Sequence, residues 1–239
     1  MGLSEKEEKI LQQDTSQLAD HPGMIFIVHL LMDEMCEMPD KEHMHKIMNK
    51  HLGETDCFCH DEKVAGFAPK KYIANFENGK QQVHPQLMIM ECLEIKNPIM
   101  DDIAQSQLWE CPEGDEILEF CKYQVIATDM LAAGLDYKDR AEMLVDYVEA
   151  LVELYPTCKA VVFETSKKMF TREAIINCNI PKSARFIYYA VNVRFFNIQG
   201  TNDKIVDSIG MGTLFLPDVQ YHFHDVDPDA VVNHAYNFL

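Results

Sequence analysis

An apolar stripe between Asp136 and Pro156 constrains the fold of this chain more than any other feature of its sequence. The stripe is formed by Ala141, Leu144, Val145, Val148, Leu151, Val152 and Tyr155. Spacings of three and four residues predict a helix with one apolar face, begun by an Asp136 N-cap and ended by Pro156. Apolar segments that read as strands flank it, at residues 123–130 and 160–164. The body is therefore predicted to mix helices with strands.

The rest of the chain continues this mixture. In the first half, we expect a strand over 24–32, a helix from an Asp40 cap through Leu52, strands over 64–76 and 87–95 joined by an Asn78-Gly79 turn, and a helix over 99–109. In the second half, we expect a short helix after Thr171, strands over 186–196, 205–216 and 219–224, and a closing helix opened by Asp227-Pro228. The predicted fold class is α+β, with a mixed, mainly antiparallel sheet and flanking helices.

The domain organisation follows from the same segments. Residues 1–22 are predicted to be an N-terminal polar segment or a short helix, because Ser4 and Glu7 have the spacing of a capping box. Residues 23–239 are predicted to form a single α+β domain. A pseudo-duplication into two related β-α-β-β-α halves, about 23–110 and 120–239, is a hypothesis. Residues 110–115, with Pro112 and Gly114, would connect them.

The charge balance narrows the range of partners. Acidic residues outnumber basic ones 39 to 21, for a net charge of −18. This field repels phosphate backbones and anionic lipid, so nucleic acid and membrane are not expected partners, whereas a basic protein would be attracted. The apolar runs are too short to cross a bilayer, and the first residues do not resemble a signal peptide. We expect a cytoplasmic protein whose eight cysteines are free thiols.

Signatures of nucleophilic and phosphate-binding chemistry are missing from the sequence. It contains no Gly-x-Ser-x-Gly elbow, phosphate-binding loop or dinucleotide fingerprint, and no cofactor is expected. Glu91, Glu94, Asp129 and Glu164 lie in or after predicted strands, where α/β folds place active-site carboxylates but where turn hydrogen bonds are also common. His29, amid apolar residues, is interpreted as a core histidine with its hydrogen bonds satisfied.

The best candidate for a metal site is the segment around His222 and His224. On a strand, residues two apart face the same side, so both imidazoles can reach one ion, with Asp225 as a third ligand. The alternative is that both histidines line a solvent-exposed face. Cys57 and Cys59, before His60, lack the spacing of a zinc knuckle and are interpreted as part of a partly exposed loop.

Several apolar stretches resemble an uncharacterised bacterial family, catalogued as domain of unknown function 4261. They are residues 85–91 (PQLMIME), 124–130 (QVIATDM), 131–135 (LAAGL), the segment 186–196 and residues 214–218 (LFLPD). The resemblance extends from about Met24 to Leu239 and implies no catalytic residue, because the family has no established activity. A neighbourhood of toxin systems among such families suggests an immunity-like binding role.

The sequence supports two hypotheses for the function of the protein. The leading hypothesis is a non-enzymatic protein-interaction module, immunity-like or scaffolding, with a protein partner. The alternative is a metal-assisted hydrolase centred on the His222/His224 strand. Whether the protein is an enzyme stays open, with the absence of catalytic signatures favouring the first hypothesis. The sequence predicts neither the oligomeric state nor a substrate.

Overall fold

The computed structural model describes residues 23–76 and 79–239. The predicted N-terminal polar segment or helix of residues 1–22 lies outside the described residues. The described strands are β1 (Ile27–Met32), β2 (Thr55–His60), β3 (Val64–Pro69), β4 (Ala74–Phe76), β5 (Gln81–Val83), β6 (Gln86–Glu94), β7 (Tyr123–Met130), β8 (Ala160–Phe163), β9 (Lys168–Thr171), β10 (Asn192–Asn197), β11 (Lys204–Ile209) and β12 (Gln220–Phe223). The described α-helices are α1 (Lys41–Leu52), α2 (Asp102–Gln105), α3 (Gly114–Phe120), α4 (Tyr137–Leu154), α5 (Arg172–Ile176), α6 (Lys182–Ala190) and α7 (Pro228–Phe238).

A seven-stranded sheet forms the centre of the molecule. Its strand order is β2-β3-β6-β7-β1-β8-β9, and every neighbouring pair is antiparallel. A three-stranded sheet, β10-β11-β12, and the hairpin β4-β5 are also antiparallel. The α+β class with mainly antiparallel sheets is confirmed. Strands from both predicted halves share the large sheet, and the division into two related halves stays a prediction.

One face of the large sheet packs on helices. Val28, Leu30, Val125 and Phe163 are fully or almost fully buried in a core that also contains the apolar faces of α1, α4 and α6. The predicted stripe of α4 is buried there, as its spacing required. The packing of the sheet against these helices removes apolar surface from water, which is the main favourable contribution to folding.

The other face of the sheet is covered at one end only. Leu31, Ala160, Val162 and Met169 pack there with apolar residues of α2, α3 and their flanking loops, a smaller cluster that includes Met100, Cys111 and Cys121. Because this cluster covers the ends of the central strands, the remainder of the face is left for the site described below.

The helix caps predicted at Asp40, Asp136, Thr171 and Asp227 are present, whereas the capping box predicted at Ser4 and Glu7 lies outside the described residues. The carboxylates of Asp40, Asp136 and Asp227 accept from the N–H groups of His43, Lys138 and Asp229. The Thr171 hydroxyl accepts from the N–H of Ala174 at the start of α5. Each bond satisfies one of the free N–H groups that open a helix.

The predicted strand over 186–196 is wrong in its first half. Residues 182–190 form α6, and only 192–197 form a strand, β10. Phe186, Tyr189 and Ala190 are buried at helical spacing against α4 and β9. Aromatic residues favour strands by local propensity, but packing of this apolar face decided the conformation.

Other boundaries also differ. The predicted strand over 64–76 is divided after Pro69 into β3 and β4, the helix over 99–109 shortens to α2, and the connector 110–115 contains the start of α3. The strand predicted over 205–216 ends at Ile209 and is followed by a 3₁₀ turn, Met211–Leu214. Cys57 to His60 lie in β2 rather than in a loop. Within residues 23–76 and 79–239, no helix combines the length and apolarity needed to cross a membrane.

Candidate functional site

The part of the large sheet that α2 and α3 leave uncovered is the candidate site, and we call it the open face. Strand pairing fixes which side chains share it. Thr128 of β7 lies opposite both Met88 of β6 and Ile27 of β1, and Ile126 lies opposite His29. Directly paired residues point to the same side of a sheet, as do residues two apart on one strand. The apolar side chains of the open face are those of Ile27, Phe58, Val64, Met88, Met90, Ile126 and Met130. Its polar side chains include those of His29, Gln86 and Thr128.

The open face is apolar and exposed to an unusual degree. Phe58 is 45% exposed, Met90 40% and Met130 50%, while Met88 and Ile126 are half-buried beside them. Sheets that face water normally place polar residues on their outer side. Contiguous apolar surface on a soluble domain marks a binding site more often than scattered single residues do.

Phe58 owes its position to a glycine on the neighbouring strand. A Cβ at Gly66 would lie 2.5 Å from Cζ of the Phe58 ring and 2.6 Å from Sγ of Cys59. The missing side chain at Gly66 therefore lets the ring lie against the sheet. A register shift between Cys57 and Cys59 turns Phe58 toward this side, as bulges do near functional surfaces.

A polar cluster lies at the β8 end of the open face. His29 Nδ1 is 2.7 Å from Gln124 Oε1, and His29 Nε2 is 3.0 Å from Glu164 Oε2. Lys167 Nζ is 2.5 Å from the other Glu164 oxygen. The cluster lines a cleft of about 600 Å³ together with residues of the loop after β6.

The hydrogen-bond pattern defines what this cluster can do. Gln124 Oε1 and the Glu164 carboxylate both accept hydrogen bonds, so His29 satisfies both when each ring nitrogen carries a proton. In that state, the imidazolium and the Lys167 ammonium flank one carboxylate. Both ring nitrogens are engaged, one with Gln124 and one with Glu164, so the cleft presents a connected group of polar and charged side chains to a ligand.

The other carboxylates singled out from the sequence are not brought to this cluster, with one exception. Glu94 lines the same cleft, and Glu91 lines a different cleft near Cys36 and Cys92. Asp129 is buried on the opposite face, in an ion pair with Arg140. His29 has both hydrogen bonds satisfied, as predicted, but it borders a cleft instead of the core.

The predicted metal ligands lie on the small sheet. His222 Nε2 is 3.1 Å from Asp203 Oδ2, and His224 Nδ1 is 3.6 Å from Asp203 Oδ1. The two imidazoles thus share one carboxylate, from the connection between β10 and β11. Asp225 adopts a left-handed conformation, with φ of 56°. In the described part of the chain, no group of three or more His, Cys, Asp and Glu side chains is arranged to hold a metal ion.

Comparison with known proteins adds a family for one part of the chain. No curated protein and no solved structure matches the chain. The matching segment runs from Asp207 in β11 to Leu239 after α7, so it contains His222, His224 and Asp225 but none of the open face. Residues 207–239 match the model described as domain of unknown function (DUF4261), which confirms over this segment the resemblance drawn from the sequence.

Proposed function

We propose that this protein is a non-enzymatic interaction module that binds a basic protein partner through the open face. The supporting observation is the exposed apolar surface formed by Phe58, Met88, Met90, Ile126 and Met130 on the large sheet. Methionine suits such a surface, because its flexible, polarisable side chain adapts to the shape of a partner. An immunity-like or scaffolding role requires this kind of preformed surface and no catalytic group.

Net charge determines which partner is proposed. At −18, the chain repels a second copy of itself and attracts a basic protein. The apolar centre of the open face would provide most of the affinity, and the net negative charge of the chain would increase the association rate. The His29–Glu164–Lys167 cluster at one end would then favour a partner with a complementary polar group at that position.

We further propose a bacterial cytoplasm as the setting. The family that the chain resembles is bacterial, and all eight cysteines are free thiols, as expected in a reducing compartment.

Replacing Met90 by aspartate is expected to weaken partner binding by roughly 30-fold or more, the effect of losing one interface hot spot. Met90 is 40% exposed, so the variant should fold as the wild type does. The measurement is capture from lysate of the source organism, followed by titration of the purified partner at low and high salt. A single stoichiometric partner bound more tightly at low salt is the expected result.

The matched control is Ile176→Asp, at an exposed position on α5, outside the open face. This variant should bind as the wild type does. Equal binding by wild type and Met90→Asp would overturn the proposal, as would self-association that Met90→Asp abolishes, because the occupant would then be a second copy.

The second candidate function is metal-assisted hydrolysis at His222, His224 and Asp225. The observation in its favour is that Asp203 brings a carboxylate from another segment to both imidazoles. Carboxylate oxygen and imidazole nitrogen are common ligands of divalent metals in hydrolases.

If this function is correct, purified untagged protein is expected to contain close to one zinc, manganese or iron ion per chain, and His222→Ala to contain none. Elemental mass spectrometry measures both. His222 is exposed, so its loss should leave the fold intact. Metal content at background level in the wild type, with no change in melting temperature on adding zinc or manganese, would reject this function.

A further inference from the structure

A second cleft, separate from the open face, is lined by four sulfur-containing side chains. It lies between the loop that follows β1 and the C-terminal part of β6, with a volume of about 630 Å³. Two thiols, Cys36 and Cys92, and two thioethers, Met35 and Met38, line it. The loop provides three of these sulfur atoms within four residues, and β6 provides the fourth.

The two thiols form a pair. Cys36 and Cys92 line the same cleft, and Cys36 packs against the core that contains Cys92, although the two are far apart in sequence. Cys36 is half-buried, and Cys92 is 8% exposed at the edge of the core. Burial, followed by the proximity of Cys92, raises the pKa of the Cys36 thiol to about 12. A thiol that keeps its proton is a poor nucleophile, so covalent catalysis does not explain the pair.

The surrounding groups exclude a zinc-type site. The nearby imidazole, His60, has its Nε2 atom 2.9 Å from the Pro39 carbonyl oxygen, to which it donates a hydrogen bond. As noted above, the described residues contain no set of three His, Cys, Asp or Glu side chains placed around one point. Tetrahedral zinc needs four such ligands in a structural site.

The thioether sulfur atoms of Met35 and Met38 lie in the same cleft and suit a different kind of metal ion from zinc. Met38 Sδ accepts a hydrogen bond from the Tyr155 hydroxyl at 3.6 Å, and Met38 lines the same cleft as the two thiols. Met35 is 65% exposed at the mouth of the cleft. Thiolate and thioether ligands together select soft ions, above all Cu(I), which accepts two or three sulfur ligands.

We propose that Cys36 and Cys92, with Met38 as a third ligand, form a binding site for Cu(I). On binding, each thiol loses its proton to solvent and each sulfur donates an electron pair to the metal. No electron is transferred, and the oxidation state of copper does not change. The site does not depend on the proposed protein interaction, because no residue of the open face contributes to it.

The test is an anaerobic titration of reduced protein with Cu(I) in the presence of bicinchoninate, a coloured Cu(I) ligand. Wild type is expected to remove one equivalent of Cu(I) from the competitor, with a rise in melting temperature. Cys36→Ser should lower the affinity at least ~100-fold, beyond what loss of a supporting residue causes. Met38→Leu, which preserves the shape of the side chain, should lower it roughly 10-fold.

Cys178→Ser is the matched control, because Cys178 is also partly exposed but lies after α5, outside this cleft. It should retain the full affinity, which separates the site from nonspecific binding by other thiols. Circular dichroism of each variant checks the fold. Failure of the wild type to compete for Cu(I), or equal affinity in Cys36→Ser and wild type, would overturn the proposal.

Discussion

Replacing Glu110 by glutamine is expected to lower the free energy of unfolding by about 3 kcal/mol, whereas Lys168→Met should cost less than about 1.5 kcal/mol. The reason is the burial of Lys168, whose side chain is 1% exposed. Its Nζ atom lies 2.9 Å from Glu110 Oε1 and 2.7 Å from the Tyr188 carbonyl oxygen. Removing only the carboxylate leaves a buried ammonium group without its counter-charge, which is the costly way to break such a pair.

The aromatic rings around Lys168 should keep the loss of stability in Lys168→Met small. The ammonium lies about 5.4–5.6 Å from the ring centroids of Phe170, Tyr188 and Tyr236. An unbranched apolar side chain of similar length can pack against the same rings. The remaining cost is the unpaired carbonyl of Tyr188 and the weakened cation–π contacts.

The free energy of unfolding should also depend on pH differently in the two variants. Burial lowers the pKa of the Lys168 amine below its usual 10.5, because the charged form is poorly solvated. Between the lowered pKa and 10.5, the unfolded chain holds more protons than the folded one, so the free energy of unfolding rises with pH. Lys168→Met removes this rise.

Denaturant unfolding of the three proteins across neutral and alkaline pH measures both effects. An equal loss in Glu110→Gln and Lys168→Met would contradict the argument, because it would mean that the ion pair acts only through packing. The ion pair also connects two parts of the fold. Tyr236 belongs to α7, so this cluster attaches the segment that matches the known family to the large sheet.

Helix caps and stripes were predictable from the sequence because they depend on neighbouring residues. The stripe of α4 and the caps at Asp40, Asp136 and Asp227 need only local spacing and short hydrogen bonds. Antiparallel pairing of β3 with β6 was also predictable, since only the small hairpin β4-β5 lies between them along the chain. The order of the large sheet was not, because β1 lies between β7 and β8, both of which come much later in the chain.

The open face was missed for a related reason. In β6, Met88 and Met90 alternate with the buried Leu87 and Ile89, so all four residues look like core. An apolar strand that is covered on one face only has the same composition as one that is covered on both. The available signal was methionine at every second position, which differs from the β-branched residues that usually fill strand interiors.

The His29–Glu164 contact lies beyond the reach of a sequence pattern. The two residues are 135 positions apart and meet only because β1 and β8 are neighbours. The same applies to Asp203 beside His222 and His224, and to the cleft that Cys36 and Cys92 share. In each case, the sequence indicates one partner of the contact and tertiary pairing provides the other.

Replacing Asp129 by asparagine is expected to destabilise the fold by about 3–5 kcal/mol, the largest effect predicted here. Asp129 and Arg140 form the most deeply buried ion pair, with side chains 2% and 5% exposed and Arg140 Nη2 2.9 Å from Asp129 Oδ2. Among described residues, Arg140 Nη1 already lacks a hydrogen-bond partner. The guanidinium group depends on Asp129 for its counter-charge.

Each charge of the pair is expected to be needed as long as the other is present. The pair as a whole is not expected to add net stability to the fold. Burial raises the pKa of Asp129, against the opposing effect of Arg140, so the desolvation of the carboxylate outweighs the attraction between the two groups. The double variant Asp129→Leu with Arg140→Met should therefore recover most of the stability lost in Asp129→Asn. Arg140 also lies 4.9 Å from the Phe215 ring, a contact that methionine can keep. Chemical denaturation of the single and double variants measures the coupling, and a double variant as unstable as Asp129→Asn would show that the charges themselves stabilise this fold.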